Sequence, residues 1–118
     1  MNAAEIARKA LYILDRDGWC KHSLTWCAPC ATVYGGNYPE GSHCIAGAWN
    51  LAAHGNDRWA DDYQPLHEVI TAQYPDFRVE NDGWLKLDTP QGHIAMWNNR
   101  DETTEQDVRA ILEKLACS

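Results

Sequence analysis

Between Gly18 and Ser42 the helical periodicity of the flanking segments breaks down, and this break constrains the fold more than any other feature. Residues 19 to 41 carry Pro29, Gly35, Gly36, Pro39 and Gly41, a density of helix breakers that predicts a long loop. The same stretch holds Trp19, Trp26, Tyr34 and Tyr38, together with Cys20, Cys27 and Cys30, while His43 and Cys44 follow directly. A structureless loop of about twenty residues is uncommon inside a small domain. Something must pin it, and its thiols and rings are the groups available. At 118 residues the chain has the length of one domain, 1–118, able to form a core without disulfide stapling.

On either side of the break the pattern is helical. Ala3, Ile6, Ala7, Ala10, Ile13 and Leu14 form a stripe behind the capping residue Asn2, and Gly18 ends it. Ser42 is expected to cap a second helix with Ile45, Ala48, Trp49 and Ala52 on one face, where Ala46, Gly47 and Ala53 permit close approach of a neighbour and Gly55 stops the run. Pro65 opens a third helix, with Leu66, Val69 and Ile70 inward and Pro75 beyond its end. Phe77–Glu80 and Trp84–Leu87 alternate on either side of Asn81-Asp82-Gly83 and predict a small β-hairpin. Residues 90 to 99 fit a short helix or an extended segment. Thr103 and Gln106 have capping-box spacing, and Val108, Ile111, Leu112 and Leu115 mark a last helix. The expected fold is mainly α: a compact single domain of four to five helices, a cysteine- and aromatic-bearing loop at 19–41 lying over them, and one hairpin at about 77–87.

Composition narrows the function. Ten basic residues against seventeen acidic ones give a net charge of −7, and no clustered Lys/Arg face is present, which argues against nucleic acid as a partner. The longest apolar run, Cys44 to Trp49, is far short of a membrane span, and the N-terminus lacks the pattern of a signal peptide, so a cytoplasmic protein with no membrane partner is expected. Asp101, Glu102, Glu105 and Asp107 gather around the start of the last helix, as a solvated face or as a dock for a basic protein patch.

The cysteines allow three chemistries. Cys27 and Cys30, spaced Cys-x2-Cys, suit two corners of a tetrahedral zinc site that two of Cys20, His22, His43 and Cys44 would complete, Cys20 and Cys44 being the favoured pair, and four thiolates equally suit an iron–sulfur cluster. Trp26-Cys27-Ala28-Pro29-Cys30 is similar to the Trp-Cys-x-Pro-Cys active site of thioredoxins, although no βαβ pattern surrounds it. Cys44 near a helix start, followed by His93 and Asn98, has the order of a cysteine-nucleophile hydrolase and resembles papain-like peptidases. Free, buried thiols are the plain alternative to all three. Trp19, Trp49, Trp84 and Trp97 are expected in the core, whereas Trp26, Tyr34 and Tyr38 on the loop are the candidates for partner contact if exposed.

Four segments in this order resemble an uncharacterised family of short actinobacterial and actinobacteriophage proteins: Gly18-Trp19-Cys20, Cys44-Ile-Ala-Gly-Ala48, Ile94-Ala-Met-Trp-Asn-Asn99 and Thr103-Thr-Glu-Gln-Asp-Val108. The family pattern more often has Trp-Asn-Asp where this chain has Trp97-Asn98-Asn99, and it typically lacks the pair Cys27 and Cys30. The resemblance implies a helical cytosolic domain of phage or actinobacterial origin and no particular reaction. By analogy with small acidic phage proteins, it implies a non-enzymatic binder that modulates a host protein.

Overall fold

The first helix, α1 (Ala3–Asp17), forms where the stripe places it: the Asn2 side chain accepts from the Glu5 N–H at 2.9 Å, and Ile6, Ala7, Ala10, Ile13 and Leu14 are buried. Gly18 ends it at φ +92°, a backbone that an L side chain rarely adopts. A computed structural model describes residues 2–55, 63–79 and 89–117 of the chain. Among the described residues there are six helices and no strand, so the expected four to five helices undercount the fold. The others are α2 (Ala28–Tyr34), α3 (Ile45–His54), α4 (Gln64–Gln73), α5 (Pro90–Asn99) and α6 (Glu105–Ala116).

The uncounted helix lies inside the expected loop. Pro29 falls in the first turn of α2, where a missing N–H costs nothing, and Gly35 ends the helix at φ +75°, so breakers that signalled a loop instead bound a short helix. Residues 90–99 resolve as helix, because the Thr89 hydroxyl accepts from the Gly92 N–H at 3.1 Å and Pro90 sits in the first turn. Of the expected hairpin, residues 77–79 are not strand, and its turn and second arm, with Trp84, lie outside the described residues.

Helix α1 packs against both α3 and α6; α4 packs on α5 and α6, and α3 on α5. The core they enclose holds Trp49 and Trp97 with Leu14, Ile45, Leu66, Ile70, Ile94 and Leu112, all essentially inaccessible. Two caps differ from the expected ones by one or two positions. Cys44, not Ser42, caps α3, its Sγ accepting from the Gly47 N–H at 3.3 Å, while the Ser42 hydroxyl donates to the Pro39 carbonyl at 2.6 Å. The capping box of α6 is Thr104 with Asp107, and Thr103 is buried one residue earlier, donating to the Trp97 carbonyl at 2.7 Å.

Residues 18–26 and 41–43 hold one another through backbone bonds without forming a strand. His43 N–H donates to Gly18 O and Cys20 N–H to His43 O, both at 3.0 Å, while Trp26 N–H donates to Ser42 O at 2.7 Å and Gly41 N–H to Trp26 O at 2.8 Å. The segment then crosses the start of α3 so closely that a Cβ at position 47 would collide with the Leu24 carbonyl. Gly47 therefore sets the height at which the segment rides over the helix.

Candidate functional site

One side chain fastens this segment to the helical body. Asn98, fully buried on α5, uses Oδ1 to accept from the Trp19 indole N–H at 2.8 Å and from the Ile45 backbone N–H at 3.1 Å, and its Nδ2 donates to the Cys20 carbonyl at 3.2 Å. It thereby satisfies one of the orphan donors at the start of α3 from a neighbouring helix. Asn99 adds a second tie, its Oδ1 accepting from the His22 N–H at 2.7 Å. His22 itself lies at φ +73°, a left-handed conformation costing a non-glycine residue about 1–2 kcal/mol, and its ring stacks on Tyr34 with centroids 5.5 Å apart. The sequence predicts only local bonding and a left-handed turn at Asn98 and Asn99. The structure corrects both points: their bonds span the fold, and Arg100 beyond them is extended with φ −59° and ψ 140°.

Between the segment and the body lies a cleft of about 390 Å³, lined by His22, Leu24 and Thr25 on one side and by Cys44, Ala95 and Asn99 on the other. That volume is within the range of small-ligand or side-chain pockets. Cys44 reaches the cleft wall but is 5% exposed, and burial pushes its thiol up to about 11 despite the Gly47 N–H on the sulfur. A nucleophile needs the opposite shift. His93, the expected base, packs toward α4 instead, with ring centroids 4.8 Å from His67 and 5.0 Å from Phe77, and Asn98 is committed to the bonds above. The arrangement Cys44, His93, Asn98 therefore does not assemble a hydrolase site: Cys44 is a helix cap and Asn98 a tie.

The four-cysteine metal site is corrected as well. Among the described residues no group of three or more His, Cys, Asp or Glu side chains is placed to hold a metal ion. Cys20 is fully buried, its Sγ–H directed at the Ser23 and Ser42 carbonyls at 3.4 and 3.5 Å, and burial pushes its thiol up to about 12. Cys27 and Cys30 do meet, Sγ to Sγ 2.9 Å, with Cys27 exposed and Cys30 buried beside Cys20 and Trp26.

The loop aromatics divide. Trp26 is 4% exposed and forms a satellite core with Cys20 and Cys30, so it is a packing residue and not a contact surface. Tyr38 is half-buried against it, ring centroids 5.0 Å apart, and edge-on to Trp19 at 6.1 Å. Tyr34 stands out on α2 at 53% exposure beside Val33 at 70%. Asp101, Glu102 and Glu105 are exposed, and Lys21 Nζ bonds the Arg100 carbonyl at 2.7 Å, which brings the acidic turn next to His22.

Reading the residues alone also missed the contact between Asp17 and His43. The His43 ring is buried and meets the Asp17 carboxylate at 2.8 Å through Nε2, and the Thr25 hydroxyl at 3.0 Å through Nδ1. Asp17 is held down to about 2, chiefly by the Arg16 guanidinium and further by His43, against the opposing effect of burial. Nothing in local spacing announces a pair twenty-six residues apart.

Fold and site together define a small helical domain with a flap tied down from α5, in which Cys44 caps α3, Asn98 is the tie and His93 packs toward α4. The chain belongs to the family of unknown function designated DUF6197, whose model matches residues 1–117. Among curated proteins and solved structures, none matches the chain. Among the described residues, no helix is long and apolar enough to cross a membrane.

Proposed function

We propose that this chain is a non-enzymatic cytoplasmic binding domain, of phage or actinobacterial origin, that docks onto a basic surface of a host protein. One observation carries the reading: an exposed apolar shelf, the cleft and an acidic turn share a single edge. Val33 and Tyr34 form the shelf; Tyr34 stacks on His22; His22 borders the cleft and is tied to Asn99; and Lys21, next to it, bonds the backbone of Arg100 ahead of Asp101 and Glu102. A partner with an apolar side chain for the cleft, ringed by Lys or Arg, matches both the shape and the net charge of −7. The unactivated state of Cys44 supports binding over catalysis at this edge.

The test is site-directed photocrosslinking from position 34 in an actinobacterial host, followed by binding measurements on the crosslinked protein once purified. Binding should fall at least about tenfold with Tyr34→Ala and with the cleft-filling Ala95→Phe. It should also weaken steeply from about 0.1 M to about 1 M salt, as the Debye length shortens from about 10 Å to about 3 Å. A purified partner that binds both variants as well as the native chain, or that ignores salt, contradicts the reading.

A further inference from the structure

The shelf and cleft leave the Cys27–Cys30 pair unused, and its geometry is that of a reacting dithiol. The two sulfurs are 2.9 Å apart, against about 2.05 Å in a formed bond, so closing them takes a movement of less than about 1 Å. Their exposure is asymmetric: Cys27 faces solvent, and Cys30 is buried against Cys20 and Trp26. The Cys27 backbone N–H also points at Cys30 Sγ, 3.4 Å away. From this geometry we infer that Cys27 and Cys30 form a thiol–disulfide exchange site that takes a low-molecular-weight disulfide, Cys27 being the attacking sulfur and Cys30 the resolving one.

Access, and not ionisation, sets the division of roles: Cys27 is the sulfur a disulfide can reach, while Cys30 is the one that ionises more readily. The Cys27 S–H and N–H both favour the thiolate of Cys30 and lower its pKa, while that thiolate raises the pKa of Cys27. Cys30 therefore ionises before Cys27, and the exchange starts from the form of the pair in which Cys30 is the thiolate. When a disulfide R–S–S–R reaches Cys27, Cys27 Sγ passes its proton to Cys30 across the short contact and attacks one sulfur. The R–S–S–R bond breaks, giving the mixed disulfide Cys27–S–S–R and RS⁻, which takes the proton back from Cys30. Cys30 Sγ then attacks Cys27 Sγ and expels the second RS⁻. The two cysteines lose two electrons, R–S–S–R becomes RSH and RS⁻, and the charge that began on Cys30 leaves on the RS⁻. Cys20 and Cys44 take no part, because burial keeps both protonated.

Oxidised glutathione is a suitable probe, and the exposed Cys117 is a control within the same molecule. The folded full chain is incubated with it at neutral pH, quenched with an alkylating reagent and read by intact and peptide mass spectrometry. The native chain should become 2 Da lighter through a Cys27–Cys30 crosslink. In the native chain the crosslink should form at least about tenfold faster than the adduct on Cys117; Cys30→Ser, which lacks the proton acceptor, should stop at a more slowly formed glutathione adduct on Cys27, and Cys27→Ser should give neither product. Because Cys30 is buried, Cys30→Ala serves as a second version of the resolving variant, with helical circular dichroism checked on each. A native crosslink that forms no faster than the adduct on Cys117, or a native chain that accumulates mixed disulfides without the internal crosslink, overturns the assignment.

Discussion

The Trp19 indole N–H and the Asn98 side-chain oxygen meet at 2.8 Å, joining the flap to α5 across seventy-nine residues of sequence. The same oxygen accepts from Ile45 N–H, and the amide nitrogen reaches the Cys20 carbonyl, so one buried carboxamide serves three backbone or ring partners. Removing it strands buried donors, each costing about 1–3 kcal/mol. Asn98→Ala should therefore destabilise the chain by about 2–4 kcal/mol, read as a lower urea midpoint, with Asn98→Asp also impaired because it cannot donate to Cys20. A midpoint unchanged in both variants would remove Asn98 from this role.

Gly47 is constrained by what crosses it. A methyl group there meets the Leu24 carbonyl, a backbone atom that cannot swing aside. Gly47→Ala improves helix propensity by up to about 1 kcal/mol, yet it should lower stability by about 1–3 kcal/mol, since overpacking outweighs propensity at this contact. Thermal denaturation decides the sign.

Asp17 sets a pH dependence. Its folded pKa, about 2, lies below the ordinary value of 3.8, so its contribution is complete above that ordinary value and is lost as pH falls through about 2. At neutral pH Asp17→Asn should be less stable than the native chain, and the gap should close between about pH 4 and about pH 2. Denaturant melts of the two proteins across that window measure it; a constant gap would assign the loss to packing.

Cys44 should resist alkylation in the folded chain. Burial holds it near 11 and its sulfur caps α3, so iodoacetamide at neutral pH should label the exposed Cys27 and Cys117 and reach Cys44 only on unfolding. Prompt labelling of Cys44 in the native state would restore the nucleophile reading.

Much of the framework was legible because it is written in local spacing. The stripes of α1 and α6, the Asn2 cap, Pro65 near the start of α4 and the small residues of α3 all act within one or two turns. The helix at 28–34 was obscured because seven residues span only about two turns, too few for periodicity to register, while its Pro and the following Gly serve as terminators. The tie at Asn98 did leave a trace: Ile94, Trp97 and Asn98 share the core-facing stripe of α5, and a polar amide on such a stripe needs buried partners. The identity of those partners depends on contacts across the fold, as does the separation of His93 from Cys44. The four cysteines looked like one cluster because sequence proximity does not register side-chain direction: only Cys27 and Cys30 bring their sulfurs together, and Cys20 and Cys44 face separate carbonyl and amide partners.

The cleft and its exposed edge exist only if residues 18–26 and 41–43 are an ordered flap held down from α5. Amide hydrogen exchange on the native chain and on Asn98→Ala tests this most directly. The Cys20, Trp26 and His43 amides, each bonded within the flap, should be protected in the native chain and should exchange at least about tenfold faster in the variant, while α1 and α6 keep their protection. Fast exchange at these amides in the native chain, or protection that survives loss of the Asn98 side chain, would contradict it.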